Sequence, residues 1–92
     1  MKIVINAAYG GFKLSKEAYK FLGIPWDKFG YEYNDYDKRT DPKLIKCVET
    51  LGAKASGNYA KLKVVEVPDD VKWEITDYDG WETVEEVHRR WH

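Results

Sequence analysis

Apolar positions bunch first at residues 2–8, where Ile3, Val4 and Ile5 run together in Lys-Ile-Val-Ile-Asn-Ala-Ala. A short β-branched run of this kind predicts a buried strand. Tyr9-Gly10-Gly11-Phe12 breaks it, since paired glycines mark a tight turn or a close backbone approach. Ser15 is placed to cap a helix over 16–22, with Ala18, Tyr19 and Leu22 on its apolar face and Phe21 alongside. Gly23 and Pro25 end it. Asp41-Pro42 signals a second helix start, and Leu44, Ile45, Val48 and Leu51 then recur as one stripe over 42–51, closed by Gly52.

Residues 59–67 predict the next strand, with Leu62, Val64 and Val65 suited to a covered sheet. Pro68-Asp69-Asp70 is a turn, and 71–75 alternates with period two. Tyr78-Asp79-Gly80 is a hairpin signal, making 81–88 the return strand. Trp81, Val84, Val87 and Trp91 also fit a helical stripe; the Asp-Gly pair and the β-branched residues favour the hairpin. The order strand, helix, helix, strand, strand, strand predicts a single α+β domain over 1–92. Its expected form is a small, mostly antiparallel sheet with two helices packed on one face. The first strand is a candidate for parallel pairing with a later one.

Residues 24–40 follow neither period. Trp26, Phe29, Tyr31, Tyr33 and Tyr36 are interleaved with Asp27, Glu32, Asn34, Asp35 and Asp37, which reads as a long surface loop. Tyrosines spaced by acids supply rigid, amphipathic contact surface, so Trp26, Tyr31, Tyr33, Tyr36, Asp35 and Asp37 form a candidate partner-binding set for a basic protein.

The chain has 92 residues, enough for one modest core. Four Trp, seven Tyr and three Phe supply ring area for that core or for a binding surface. Fifteen basic and sixteen acidic residues argue against binding bulk nucleic acid. No apolar run is long enough for a membrane span. Cys47 is the one cysteine, which rules out an internal disulfide framework and a cysteine zinc cluster. Met1-Lys2 leads straight into the strand with no signal peptide, so a cytoplasmic protein is expected.

Two stretches suggest a ligand. In the first, Asn6, Gly10, Gly11 and Ser15, with Tyr9 and Phe12 beside the glycines, join a strand to a helix start where an anion could meet free N–H groups. The stretch is neither a P-loop nor a dinucleotide fingerprint, and a plain glycine turn accounts for the same residues. In the second, His88, Arg89, Arg90 and Trp91 pair guanidiniums with an indole, suited to phosphate and a base. The acids Asp41, Asp69, Asp70 and Asp79 are accounted for by a cap and by turns, so no metal is expected. No catalytic set emerges either: Cys47 lies beside the buried stripe and the histidines are confined to the tail. No cofactor is expected.

Taken together, Val4-Ile5-Asn6, Tyr9-Gly10-Gly11-Phe12, Leu14-Ser15, Arg39-Thr40-Asp41-Pro42, Pro68-Asp69-Asp70-Val71, Trp73-Glu74-Ile75, Tyr78-Asp79-Gly80 and His88-Arg89 with Trp91 resemble a family of small, functionally uncharacterised proteins of tailed bacteriophages. Relatives carry a longer insertion around 24–40 and a Cys near position 8, where this chain has Ala8. The resemblance implies an accessory protein in a host bacterial cytoplasm and assigns no site. The expectation is a non-enzymatic, homo-oligomeric binding protein acting on host defence by sequestering a nucleotide-derived immune signal. The alternative is an inhibitor of a host protein that works through the aromatic-acidic loop.

Overall fold

The computed structural model describes residues 1–87. Its elements are β1 (Lys2–Asn6), α1 (Lys16–Leu22), α2 (Pro42–Leu51), β2 (Leu62–Glu66), β3 (Trp73–Tyr78) and β4 (Trp81–Glu86), with 3₁₀ turns at Tyr36–Lys38 and Gly52–Ala55. The fold is α+β. Both helices start and stop where side-chain chemistry dictates. The Ser15 hydroxyl accepts from Ala18 N–H, and Asp41 Oδ1 accepts from Lys43 N–H ahead of Pro42. Gly23 closes α1 in the left-handed conformation at φ 73°.

The strands form two antiparallel ribbons, β1–β2 and β3–β4, rather than one sheet. Parallel pairing of the first strand is thereby corrected: β1 runs antiparallel to β2, with Lys2 opposite Glu66 and Asn6 opposite Leu62. β1 also stops at Asn6 rather than residue 8, because the Asn6 side chain turns the chain by donating to the Ala8 carbonyl. The hairpin prediction holds. Asp79 and Gly80 form a two-residue loop with φ of 55° and 89°, the doubly positive pattern whose twist suits a tight hairpin.

Every β1 residue after Lys2 is buried, and its two faces serve different clusters. Val4 packs with Phe12, Leu14, Leu62 and the helix residues Ala18, Tyr19, Leu44, Cys47 and Val48. Ile3 and Ile5 face the other way, onto Val67 and the hairpin's Ile75 and Val84. The β1–β2 ribbon is therefore the middle layer, between the helices and the hairpin. This is why three consecutive β-branched residues are tolerated in a strand only five residues long.

Candidate functional site

The glycine turn forms a joint within the fold. The buried Asn6 donates its amide to the Ala8 and Gly80 carbonyls at 2.7 and 2.8 Å, and its Oδ1 accepts from Lys61 N–H at 2.8 Å. Gly10 N–H points to the Asp79 carbonyl. A Cβ on Gly80 would lie 2.3 Å from the Gly11 nitrogen, so the hairpin tip rests on the bare backbone of the glycine pair. Phe12 is buried, and the Ser15 hydroxyl also donates to the Lys54 carbonyl at 2.5 Å. Of the first ligand set, Tyr9 is the ring left open to solvent, edge-on to Trp81 at 5.1 Å between centroids. His88, Arg89, Arg90 and Trp91 lie outside the described residues.

Sequence reasoning missed the most heavily bonded side chain, Arg39. It is fully buried, and its guanidinium grips Glu82 with both nitrogens, Nη1 to Oε1 at 2.5 Å and Nη2 to Oε2 at 2.9 Å. It also donates to the carbonyls of Tyr33, Asn34 and Val4, and stacks 3.7 Å from the Phe12 ring centroid. With all its donors engaged, Arg39 is a scaffold rather than a ligand group. A signal did exist: Glu82 stands in β4 two positions before Val84, on the strand's inward side, where a lone acid needs a cation.

The aromatic loop divides into separate parts. Asp27 organises its first half by accepting from the main-chain N–H groups of Phe29, Gly30 and Tyr31 and from the Tyr19 hydroxyl. Those bonds, the one from Gly30 foremost, hold its carboxyl down to about 2. Burial, with the neighbouring carboxylate second, pushes the Tyr19 hydroxyl up to about 12. The Gly30 carbonyl then accepts from Leu14 N–H, and a Cβ on Gly30 would strike the Leu14 oxygen at 2.2 Å. Leu14 bridges to Ser56, so three distant segments meet at one place.

They enclose a recess of about 360 Å³. Its charged lining residues are Lys13, Lys16 and Lys28, accompanied by Ser15, Asn58 and the rings of Trp26, Phe29 and Tyr31. Phe29 and Tyr31 are stacked, 5.8 Å apart and 10° from parallel, while Trp26 stands edge-on against Tyr19. Among the described residues no carboxylate lines the recess, although acids outnumber bases in the chain. Such a site can hold an anion and offer a flat ring face beside it.

The rest of the loop does other work. Tyr33, expected at a partner surface, instead packs half-buried against the helical core, its hydroxyl donating to the Asp41 carboxylate at the start of α2. Asp35 and Tyr36 lie over a separate recess with Gly11, Asp77 and Glu82, while Asp37 is exposed in the first 3₁₀ turn. Trp26 and Tyr31 thus side with lysines, and Asp35 and Tyr36 with acids. Linear spacing hid that division. Burial raises the Cys47 thiol above its ordinary range, leaving it inert. Among the described residues no three His, Cys, Asp or Glu groups come together as metal ligands, and no helix is long and apolar enough to cross a membrane.

Compared with protein-family models, curated proteins and solved structures, the chain matches none.

Proposed function

We propose that this chain is a non-enzymatic binding protein whose ligand is an anionic, ring-bearing small molecule of the nucleotide class. The observation that carries this reading is the acid-free recess with Lys13, Lys16 and Lys28 around the stacked Phe29–Tyr31 pair. Ammonium groups attract phosphate as mobile point charges, and an aromatic face accepts a base without regard to its identity. A volume of about 360 Å³ falls in the range of small-molecule sites. Ser15 lines this recess as well, away from the glycine pair.

The resemblance to small tailed-phage proteins supports a finer version, in which the ligand is a nucleotide-derived signal of bacterial immunity and binding removes it from circulation. A sponge needs no chemistry beyond this, only affinity and abundance.

The test is native mass spectrometry of the protein mixed with a panel of cyclic dinucleotides and with filtered small-molecule extract from phage-infected, defence-positive bacteria. The expected result is a reproducible mass increment per subunit, lost in Lys13→Ala/Lys16→Ala/Lys28→Ala and weakened in Phe29→Ala. An unshifted spectrum across panel and extract overturns the reading, as does an increment indifferent to both variants. Arg89→Ala/Arg90→Ala measured alongside reports whether the tail contributes.

A further inference from the structure

The hairpin carries another concavity, of about 440 Å³, which shares no lining residue with the lysine recess. One face of β3–β4 gives Ile75 and Val84 to the core. The opposite face presents three cross-strand pairs in succession: Tyr78 with Trp81, Thr76 with Thr83, and Glu74 with Glu85. Tyr9, held by the glycine joint, closes the aromatic end against Trp81. Tyr78, Tyr9 and Trp81 remain 76%, 58% and 40% exposed around this hollow, and Asp77 lines it with them.

Two features set this face apart from an ordinary wet ribbon. Three large rings converge on one concave spot although the chain has a small core to fill. Glu74 and Glu85 also stand directly opposite each other, an arrangement that costs stability unless a cation lies over it. Among the described residues no lysine or arginine lines the hollow. Asp77 connects it to the adjoining recess, where Asp35 adds another carboxylate and Tyr36 another ring.

Ring faces are negative at the centre, so an aromatic floor bounded by acids attracts a cation on both counts. Arginine suits it better than lysine, because a planar guanidinium stacks on indole and phenol and is less strongly hydrated. The same charges repel nucleotides and anionic bilayers. We propose that this face binds a basic segment of another protein, an arginine stacking on Trp81 and Tyr78 with its fork toward Asp77. The proposal is independent of the small-molecule reading, since the ligand has the opposite charge and the site lies elsewhere on the chain.

The experiment is an NMR titration of ¹⁵N-labelled protein with a short arginine-glycine peptide and with its citrulline counterpart, which keeps the shape and lacks the charge. Expected are shifts of the Trp81 indole N–H and of the Thr76 and Thr83 amides with the arginine peptide, and affinity at least tenfold lower with citrulline. Tyr78→Ala, at an exposed position, should weaken arginine binding about three- to thirty-fold. Asp77→Asn should weaken it too while leaving the hairpin amides in place, because the remaining side-chain oxygen still accepts from Gly80 N–H. Absence of binding, equal affinity for the two peptides, or arginine binding unchanged in Tyr78→Ala overturns the proposal.

Discussion

Glu82 Oε1 accepts from both the Arg39 guanidinium and the main-chain N–H of Asn6, at 2.5 and 2.9 Å. One carboxylate thus occupies the position where a third strand would pair with β1. Arg39 completes the substitution: its Nη1 donates to the Val4 carbonyl, and its own carbonyl accepts from Val4 N–H. The free edge of β1 is closed by an ion pair, which is why the strands form two ribbons instead of one sheet.

Breaking that pair should be severe. Glu82→Gln or Arg39→Met leaves its partner buried and uncompensated, and about 3–5 kcal/mol of stability should be lost. Folding stability at this chain length is of order 5–15 kcal/mol, so either change takes a large share. Urea unfolding followed by tryptophan fluorescence measures it. The double variant should not recover fully, since the Tyr33, Val4 and Asn34 carbonyls would lose their guanidinium donors.

The Tyr19–Asp27 bond predicts loosening of the loop at both ends of the pH scale. Asp27 has a folded pKa of about 2 against an ordinary 3.8, so its contribution is complete above the ordinary value and is lost as pH falls toward 2. Tyr19 titrates at about 12 instead of 10.0, so its contribution is complete below 10 and is lost as pH rises toward 12. Hydrogen exchange of the Phe29 and Gly30 amides at low pH, and the tyrosinate absorbance titration at high pH, check the two limbs. Asp27→Asn should flatten the acid limb.

Glycine substitutions should separate crowding from backbone strain. Gly11→Ala meets open space and should cost about 1–2 kcal/mol, the penalty of a positive φ alone. Gly80→Ala adds collisions with the Gly10 and Gly11 backbone, so its cost should exceed that of Gly11→Ala by about 1–3 kcal/mol. Thermal melts of the two variants, taken side by side, decide the order.

Cys47 should react with a thiol reagent only as fast as the core around it opens. It is fully buried, and its thiol is driven above its ordinary pKa by that burial. Labelling kinetics in rising urea should therefore track the unfolding curve; rapid labelling in buffer would place the helical layer among the readily opening parts.

Local chemistry made the helices and the hairpin legible. Ser15, Asp41-Pro42, Gly23 and Asp79-Gly80 act over a few bonds, and the structure uses them as their types demand. The loop's division was not legible, since Trp26 and Tyr36 differ only in which distant segment each meets, lysines near Ser15 or acids near Asp77. Arg39 and Glu82 lie 43 positions apart, and each resembles a solvated charge until the edge of β1 brings them together. Ser15 was legible as a cap, yet its neighbourhood to Lys28 and Phe29 depends on Gly30 resting against Leu14.

The central placement of β1 carries a kinetic consequence. Every β1 partner lies far along the chain, Lys2 pairing with Glu66 and Ile5 with Lys63. During synthesis, Ile3 and Ile5, which pack on Val67, Ile75 and Val84, must therefore wait, uncovered, until β2 and the hairpin have left the ribosome. Long-range pairings of this kind form late because the loop must close before any contact rewards it. The most apolar strand is thus the last to be protected, and chaperone contact or premature association during that interval would centre on residues 3–5.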